Sequence, residues 1–295
     1  MKIKICAAQI EIKSLNVEEN LRKATLLIKE ARNKNCDIIC FPEYFLTGLV
    51  GKKNPQYTQE IPGEYTEEFS RLAKENGLYI VMVSIEKENN NYYNTSVLID
   101  DSGKIIGKYR KINLWGGEKT YIKAGDEVSV FDTKFGKIGL EICWDLAFPE
   151  VTKEIALKGA KIVFCSSFWL YEDKYSLLNS EELRKKVPDV DTEINFVDFC
   201  VPARAVENEI VFVYVGGCGK IEVGKSTRNL IGHSQIAIPF YGRVASLENE
   251  EKLLIREIDL DLLDLAESVY EIRKDSLKKN LPPHPFLSPM GRGLR

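Results

Sequence analysis

Gly139-Leu140-Glu141-Ile142-Cys143-Trp144-Asp145, continued by Leu146-Ala147 and then Phe148-Pro149-Glu150, is the stretch on which the fold turns. An apolar run that begins at Ile138 ends on a thiol, and proline one residue inside the next segment marks a helix start. A thiol at the carboxyl end of a buried strand, on the turn into a helix, meets backbone N–H groups and a positive helix end. Both favour a thiolate and an oxyanion. The stretch therefore predicts an α/β scaffold with Cys143 as a nucleophile, and the remaining sequence has to supply what activates it.

Outward from this point, short β-branched runs alternate with longer amphipathic ones along the chain. Strands are predicted at 3–10, 37–41, 79–85, 94–99, 128–133, 137–142, 162–166, 210–215, 234–238, 243–246 and 252–258, and helices at 17–34, 63–76, 148–158, 202–208 and 260–268. Asn16 with Glu19 reads as an N-cap and capping box for the first helix, whose Leu21, Ala24, Ile28 and Ala31 form one apolar face. Each half of the chain has a helix feeding a strand, ending in Cys40-Phe41-Pro42-Glu43 and in Phe164-Cys165-Ser166-Ser167. The pattern predicts an α/β fold with two sheets sandwiched between helix layers.

No linker-like composition divides the body, so one domain is expected over 1–270. Two regions break the rhythm. Residues 170–201 form a polar insertion containing Leu183-Arg184-Lys185-Lys186 and Pro188-Asp189-Val190-Asp191, of a kind that usually serves function or an interface. The segment 271–295, with Pro282, Pro283, Pro285 and Pro289, is expected to be an extended C-terminal tail.

The 295 residues carry 41 Lys and Arg against 44 Asp and Glu, a net charge of −3. That leaves no basic field for nucleic acid or an anionic membrane, so small molecules are the expected partners. No run of about 18 apolar residues is present, and Met1-Lys2-Ile3-Lys4-Ile5 reads as a charged strand; a soluble, cytoplasmic protein is expected. Seven cysteines, an odd number without paired C-x-x-C spacing, fit reduced thiols, and six of them read as small core hydrophobes. Only two histidines are available, and Cys36 with Cys40 gives too few ligands, so no metal is expected.

The thiol needs a proton acceptor and something positive for the oxyanion. His284 lies in the proline-rich tail. His233 enters a strand and would make a Cys-His hydrolase if it faced Cys143, although an ordinary hydrogen-bonded turn histidine fits its position better. Glu43, behind Phe41-Pro42 at the end of a wholly apolar strand, is costly there unless partnered. Lys111, in Tyr109-Arg110-Lys111-Ile112-Asn113-Leu114-Trp115, has similar surroundings. A buried acid and ammonium can share the task, one accepting the proton and the other holding negative charge; an ordinary surface pair is the alternative.

Together these motifs resemble the nitrilase, or carbon–nitrogen hydrolase, superfamily. Phe41-Pro42-Glu43, Tyr109-Arg110-Lys111 and Ile142-Cys143-Trp144-Asp145 with Phe148-Pro149-Glu150 match its three catalytic motifs in order. The similarity extends from Ala7-Ala8-Gln9 through Tyr92-Tyr93-Asn94-Thr95, Ala203-Arg204-Ala205-Val206-Glu207-Asn208 and Gly232-His233-Ser234 to about Asp261. The resemblance implies Glu43 as general base, Cys143 as nucleophile, Lys111 with the Trp144 amide as oxyanion stabiliser, and Glu118 as the second glutamate that positions Lys111 and substrate. It also implies a four-layer α-β-β-α sandwich, no cofactor, and a homodimer or higher homo-oligomer formed through helices next to the nucleophile.

Departures from the family pattern shape the expected substrate. Asn113 stands where the family commonly has histidine, which alters a supporting hydrogen bond. Asp145, where true nitrilases tend to carry glutamate, points to a small amide or N-carbamoyl compound cleaved through a cysteine thioester. A nitrilase making a carboxylic acid, a silent member that only binds partners, and an acyltransferase are the alternatives. Trp144, Tyr44, Phe168 and Trp169 are expected as walls of the substrate pocket, with core packing as the other reading. Gly216-Gly217-Cys218-Gly219 replaces an Asn-Arg-type pair, and Arg204 reads as a brace through Glu207.

Overall fold

Along β1 (Lys2–Gln9) the side chains sort by parity. Ile3, Ile5 and Ala7 join one apolar cluster, while Cys6, Ala8 and Ile10 join another. Alternation with both faces buried requires packing layers on both sides of the sheet, and the computed structural model has them. It describes residues 1–50, 54–171, 180–187, 191–224 and 226–278.

The first sheet has six strands in the order β14-β1-β2-β3-β4-β5. Besides β1 these are β2 (Ile38–Cys40), β3 (Tyr79–Glu88), β4 (Asn91–Ile99), β5 (Ile105–Arg110) and β14 (Lys252–Asp259). Strands β1, β2 and β3 run parallel, and the others are antiparallel to their neighbours. The second sheet repeats the plan in the order β13-β12-β9-β8-β7-β6, with β7 (Gly136–Ile142), β8 (Ala160–Ser167) and β9 (Val211–Gly216) parallel. Its flanks are β6 (Val130–Thr133), β12 (Gln235–Ile238) and β13 (Gly242–Ser246), all antiparallel. A separate polar hairpin pairs β10 (Lys220–Val223) with β11 (Ser226–Asn229).

Inner faces of the two sheets meet where β1 contacts β9, β3 contacts β8 and β4 contacts β7. Helices α1 (Val17–Asn33) and α2 (Glu64–Asn76) cover the first sheet; α3 (Pro149–Leu157) and α5 (Thr192–Glu207) cover the second. Between them in sequence lies the short α4 (Glu181–Lys186). Asn16 caps α1 as the sequence predicts, its side chain accepting the Glu19 amide at 3.2 Å. The α-β-β-α sandwich of two mixed sheets is the expected fold.

Some local expectations change. Helix α5 begins at Thr192, not Pro202, so the last third of the 170–201 insertion is helical. Val197, Val201 and Ala205 recur every fourth residue and are fully buried, and this apolar face carries the helix past a proline that deprives it of one bond to Asp198. Residues 271–295 are not extended throughout: α6 (Asp261–Tyr270) is followed by α7 (Ile272–Lys278). The buried Glu209 carboxylate sets that second helix by accepting the Ile272 amide at 2.8 Å and pairing with Arg273. Pro188–Val190 of the insertion and the proline-rich stretch from Asn280, His284 included, lie outside the described residues. Strand β5 escapes the apolar pattern because it carries Lys108 and Arg110, which pair with the buried Glu86 and with Glu88.

Candidate active site

Cys143 opens a 3₁₀ turn, Cys143–Ala147, between β7 and α3, with α3 starting at Pro149 as predicted. Its φ is +48°, a left-handed value that costs an ordinary residue about 1–2 kcal/mol, so neighbours must hold the turn. The buried Asp145 does much of this. Its Oδ2 accepts the Ile142 amide at 3.0 Å and the Tyr109 hydroxyl at 2.8 Å, while Oδ1 accepts the Asn113 amide and side chain at 2.9 and 3.0 Å. Arg204 Nη2 donates to the Leu146 carbonyl at 2.9 Å, and its Nη1 pairs with Glu207 at 2.8 Å. Asn113 therefore supports the turn through Asp145, and Arg204 is a brace.

Three other loops converge on the thiol. Glu43 follows β2, Lys111 follows β5, and Glu118 lies in the 3₁₀ segment Gly116–Thr120. All three are buried. Lys111 Nζ donates to Glu43 Oε1 and to Glu118 Oε2, each at 2.8 Å. Asn94 Nδ2, from β4, donates to Glu43 Oε1 at 2.6 Å and to Glu118 Oε1 at 2.8 Å, and Tyr44 OH donates to Glu118 Oε1 at 2.8 Å. The Phe168 amide, at the end of β8, donates to Glu43 Oε2 at 2.9 Å. Both sheets thus contribute, and the cluster sits at the carboxyl ends of their parallel strands.

Burial and charge push these groups apart. Burial raises the Glu43 pKa above the ordinary carboxylate range, and Glu118 adds to that, with Lys111 opposing. Glu118 is also penalised by burial, yet Lys111 and the hydrogen bonds it accepts hold it below the usual range. Burial would lower Lys111, but Glu43, Cys143 and Glu118 together keep it well above normal and charged. The thiol departs from expectation: burial and the Glu43 carboxylate push it up, so it rests as a thiol rather than a helix-stabilised thiolate. Two neighbouring glutamates driven in opposite directions form the pattern that separates a proton-accepting group from a permanently ionised one.

A cavity of about 200 Å³ opens over the sulfur, lined by Glu43, Lys111, Glu118 and Cys143. Tyr44, Trp144, Phe168 and Trp169 all face it, joined by Leu49, Trp115, Leu170 and Glu193. Trp144 and Trp169 pack against each other at 5.4 Å between ring centroids, and Trp169 Nε1 donates to Glu193 Oε2 at 2.5 Å. Asn94 and Glu193 have no role in the sequence reading. Asn94 belongs to a quoted motif, but only the register of β4 against the Glu43 loop shows what it touches. His233 does not line this cavity; its Nδ1 meets Asp198 Oδ1 at 3.2 Å, the hydrogen-bonded turn histidine that its position favours.

Fold and site together define an α/β sandwich enzyme built around a buried thiol at a strand-to-helix turn. Relatives fix the family. The model for carbon-nitrogen hydrolases matches residues 4–267. An omega-amidase NIT2 of Xenopus tropicalis is 30% identical over 269 residues, covering 87% of this chain and 88% of the relative. A nitrilase of Pyrococcus abyssi is 32% identical over 268 residues, covering 88% and 91%. Among solved structures, Nit3 of Saccharomyces cerevisiae, a nitrilase-superfamily member, superposes with a TM-score of 0.73 at 23% identity over 90% of this chain and 93% of Nit3. The chain belongs to the carbon-nitrogen hydrolase family.

Proposed function

We propose that this enzyme hydrolyses a small amide or N-carbamoyl compound through a Cys143 thioester. The observation that carries the reading is the meeting of Glu43, Lys111 and Glu118 with the thiol in one cavity. Glu43 Oε1 is occupied by Lys111 and Asn94, which leaves Oε2 to take the thiol proton as sulfur adds to the carbonyl carbon. Glu118 fixes Lys111, two of whose N–H groups serve the carboxylates; the third, with the Trp144 amide, faces the developing oxyanion. Protonated Glu43 returns its proton to the departing amine. It then deprotonates the water that cleaves the thioester, so the cycle closes without a cofactor.

An amide is favoured over a nitrile because relatives similar over most of the chain are named omega-amidases. The cavity volume limits the acyl group to a small one, and Tyr44, Trp144, Phe168 and Trp169 give it apolar walls. The test is ammonia release over aliphatic amides, ω-amides, carbamoyl amines and nitriles, run beside Cys143→Ala. Release from nitriles alone, or undiminished release by Cys143→Ala, overturns the reading.

The same proposal takes residues 1–270 as one catalytic domain, working as a homodimer or higher homo-oligomer in the cytoplasm. Phe148, just before α3, and Phe199, on α5, are exposed by 37% and 71%, a surface suited to a second copy. All seven cysteines are free, as a reducing compartment would keep them. No helix among the described residues is long and apolar enough to cross a membrane. Light scattering on the purified protein that gives a monomer mass refutes the oligomer.

A further inference from the structure

Two wholly buried hydroxyls lie on the strands next to the nucleophile and outside the network of Glu43, Lys111, Glu118 and Asn94. Ser167 ends β8 and Tyr214 lies in β9, where the parallel register pairs Cys165 with Tyr214 and Ser167 with Gly216. Tyr214 OH donates to Ser167 Oγ at 2.9 Å. A serine hydroxyl that accepts at one lone pair still has its own proton to give. The parallel pairing of Ile142 with Ser166 sets Ser167 next to Cys143, and Ser167 and the Phe168 amide both oppose the effect of burial on the thiol. The Phe168 amide is shared with Glu43 Oε2. The serine hydroxyl is therefore the donor that the base does not compete for. Burial, reinforced by nearby negative charge, keeps Tyr214 in its protonated, donating form.

We propose that Tyr214 and Ser167 form a two-hydroxyl relay that hydrogen-bonds to the Cys143 sulfur as it becomes anionic, with Ser167 a further catalytic residue and Tyr214 the residue that positions its proton. The inference rests on Cys143 being the nucleophile. During attack the S–H proton passes to Glu43, the S–C bond forms and the carbonyl π pair moves to oxygen. Both hydroxyls keep their protons throughout and only shorten their hydrogen bonds. The relay offsets the burial that otherwise holds the thiol protonated, and it does so without placing a second cation beside Lys111.

Tyr214→Phe removes one oxygen and keeps the ring, so it is the decisive variant. Iodoacetamide alkylation of Cys143, followed by peptide mass spectrometry across pH and set beside amide hydrolysis, reads the effect. Loss of a hydrogen bond to a developing charge should move the rate–pH curve for alkylation up by about one pH unit. It should also lower kcat about tenfold while leaving KM within about twofold. Ser167→Ala should do at least as much, and the double variant should match Ser167→Ala alone, because the two groups act in series. A Tyr214→Phe alkylation curve that overlays the wild type, at an unchanged melting temperature, overturns the relay, as do effects that multiply in the double variant. If Cys143→Ala retains amide hydrolysis, the nucleophile assignment and the relay fail together; a Cys143-dependent enzyme that is indifferent to Tyr214→Phe loses the relay alone.

Discussion

Replacing Glu43 by glutamine isolates the proton-accepting role, because the side chain keeps its shape and two of its contacts. The amide oxygen can still accept from Lys111 and Asn94, which meet Oε1 at 2.8 and 2.6 Å. The NH₂ group then takes the place of Oε2 and turns a donor towards the Phe168 N–H, forfeiting a 2.9 Å bond worth about 1 kcal/mol. A general base contributes about 10²–10⁴ in rate, and the misdirected amide adds to its loss, so kcat should fall by about 10³–10⁴. That corresponds to about 4–5 kcal/mol at 1.36 kcal/mol per tenfold. Stability should change little: Lys111 retains Glu118, and a neutral amide escapes the burial penalty that raises the Glu43 pKa. Ammonia release under saturating substrate measures the rate, while near-ultraviolet circular dichroism and thermal melting report the fold. A folded Glu43→Gln enzyme whose kcat lies within tenfold of wild type would refute the assignment of the base.

Other perturbations test the surroundings of the site. Glu118→Gln removes a negative charge that raises the Glu43 pKa, so the acid limb of kcat/KM should move to lower pH while kcat falls; an unmoved or upward-moving limb in the pH–rate profile contradicts the coupling. Gly139→Ala would put a Cβ 2.1 Å from Ile155 Cγ2, on a stiff β-branched side chain, and should destabilise the protein by about 1–3 kcal/mol, which urea unfolding would measure. Glu141 lies two residues before the nucleophile, and burial pushes it up to about 8, Thr152 and Arg204 offsetting this only in part. With its folded pKa above the unfolded value the native state binds more protons, so this group's contribution falls as pH rises from about 4.5 and levels off above about 8. Glu141→Gln should therefore raise the melting temperature more at pH 8.5 than at pH 5, and an equal or smaller gain at the higher pH would refute the buried-acid account.

What the sequence discloses about this site depends on whether a residue is anomalous where it stands. Glu43 is legible because a carboxylate behind Phe41-Pro42, at the end of an apolar strand, has no reason to be there unless something pairs with it. The structure supplies Lys111 and Asn94. Cys143 is legible because an apolar strand running into a turn and a helix-starting proline presents its last side chain to an opening. Its titration is not legible, since the burial that opposes the thiolate comes from walls contributed by both sheets. Glu118 follows a Gly-Gly pair in a loop and becomes visible only through family resemblance. Its pairing with Lys111 depends on β5, a strand hidden from an apolar pattern by charged positions that pair with Glu86 and Glu88. Asn94, Ser167 and Tyr214 are ordinary strand residues in composition; Asn94 meets the Glu43 and Glu118 loops only in the folded sheet, and the other two meet through the register of β8 against β9. Pro202 misleads in the opposite direction: a residue that commonly starts helices sits inside one, because burial of Val197, Val201 and Ala205 outweighs the missing hydrogen bond. A local pattern thus reports a group that violates its immediate surroundings, whereas a group that acts through a distant partner becomes evident only once the two sheets are packed together.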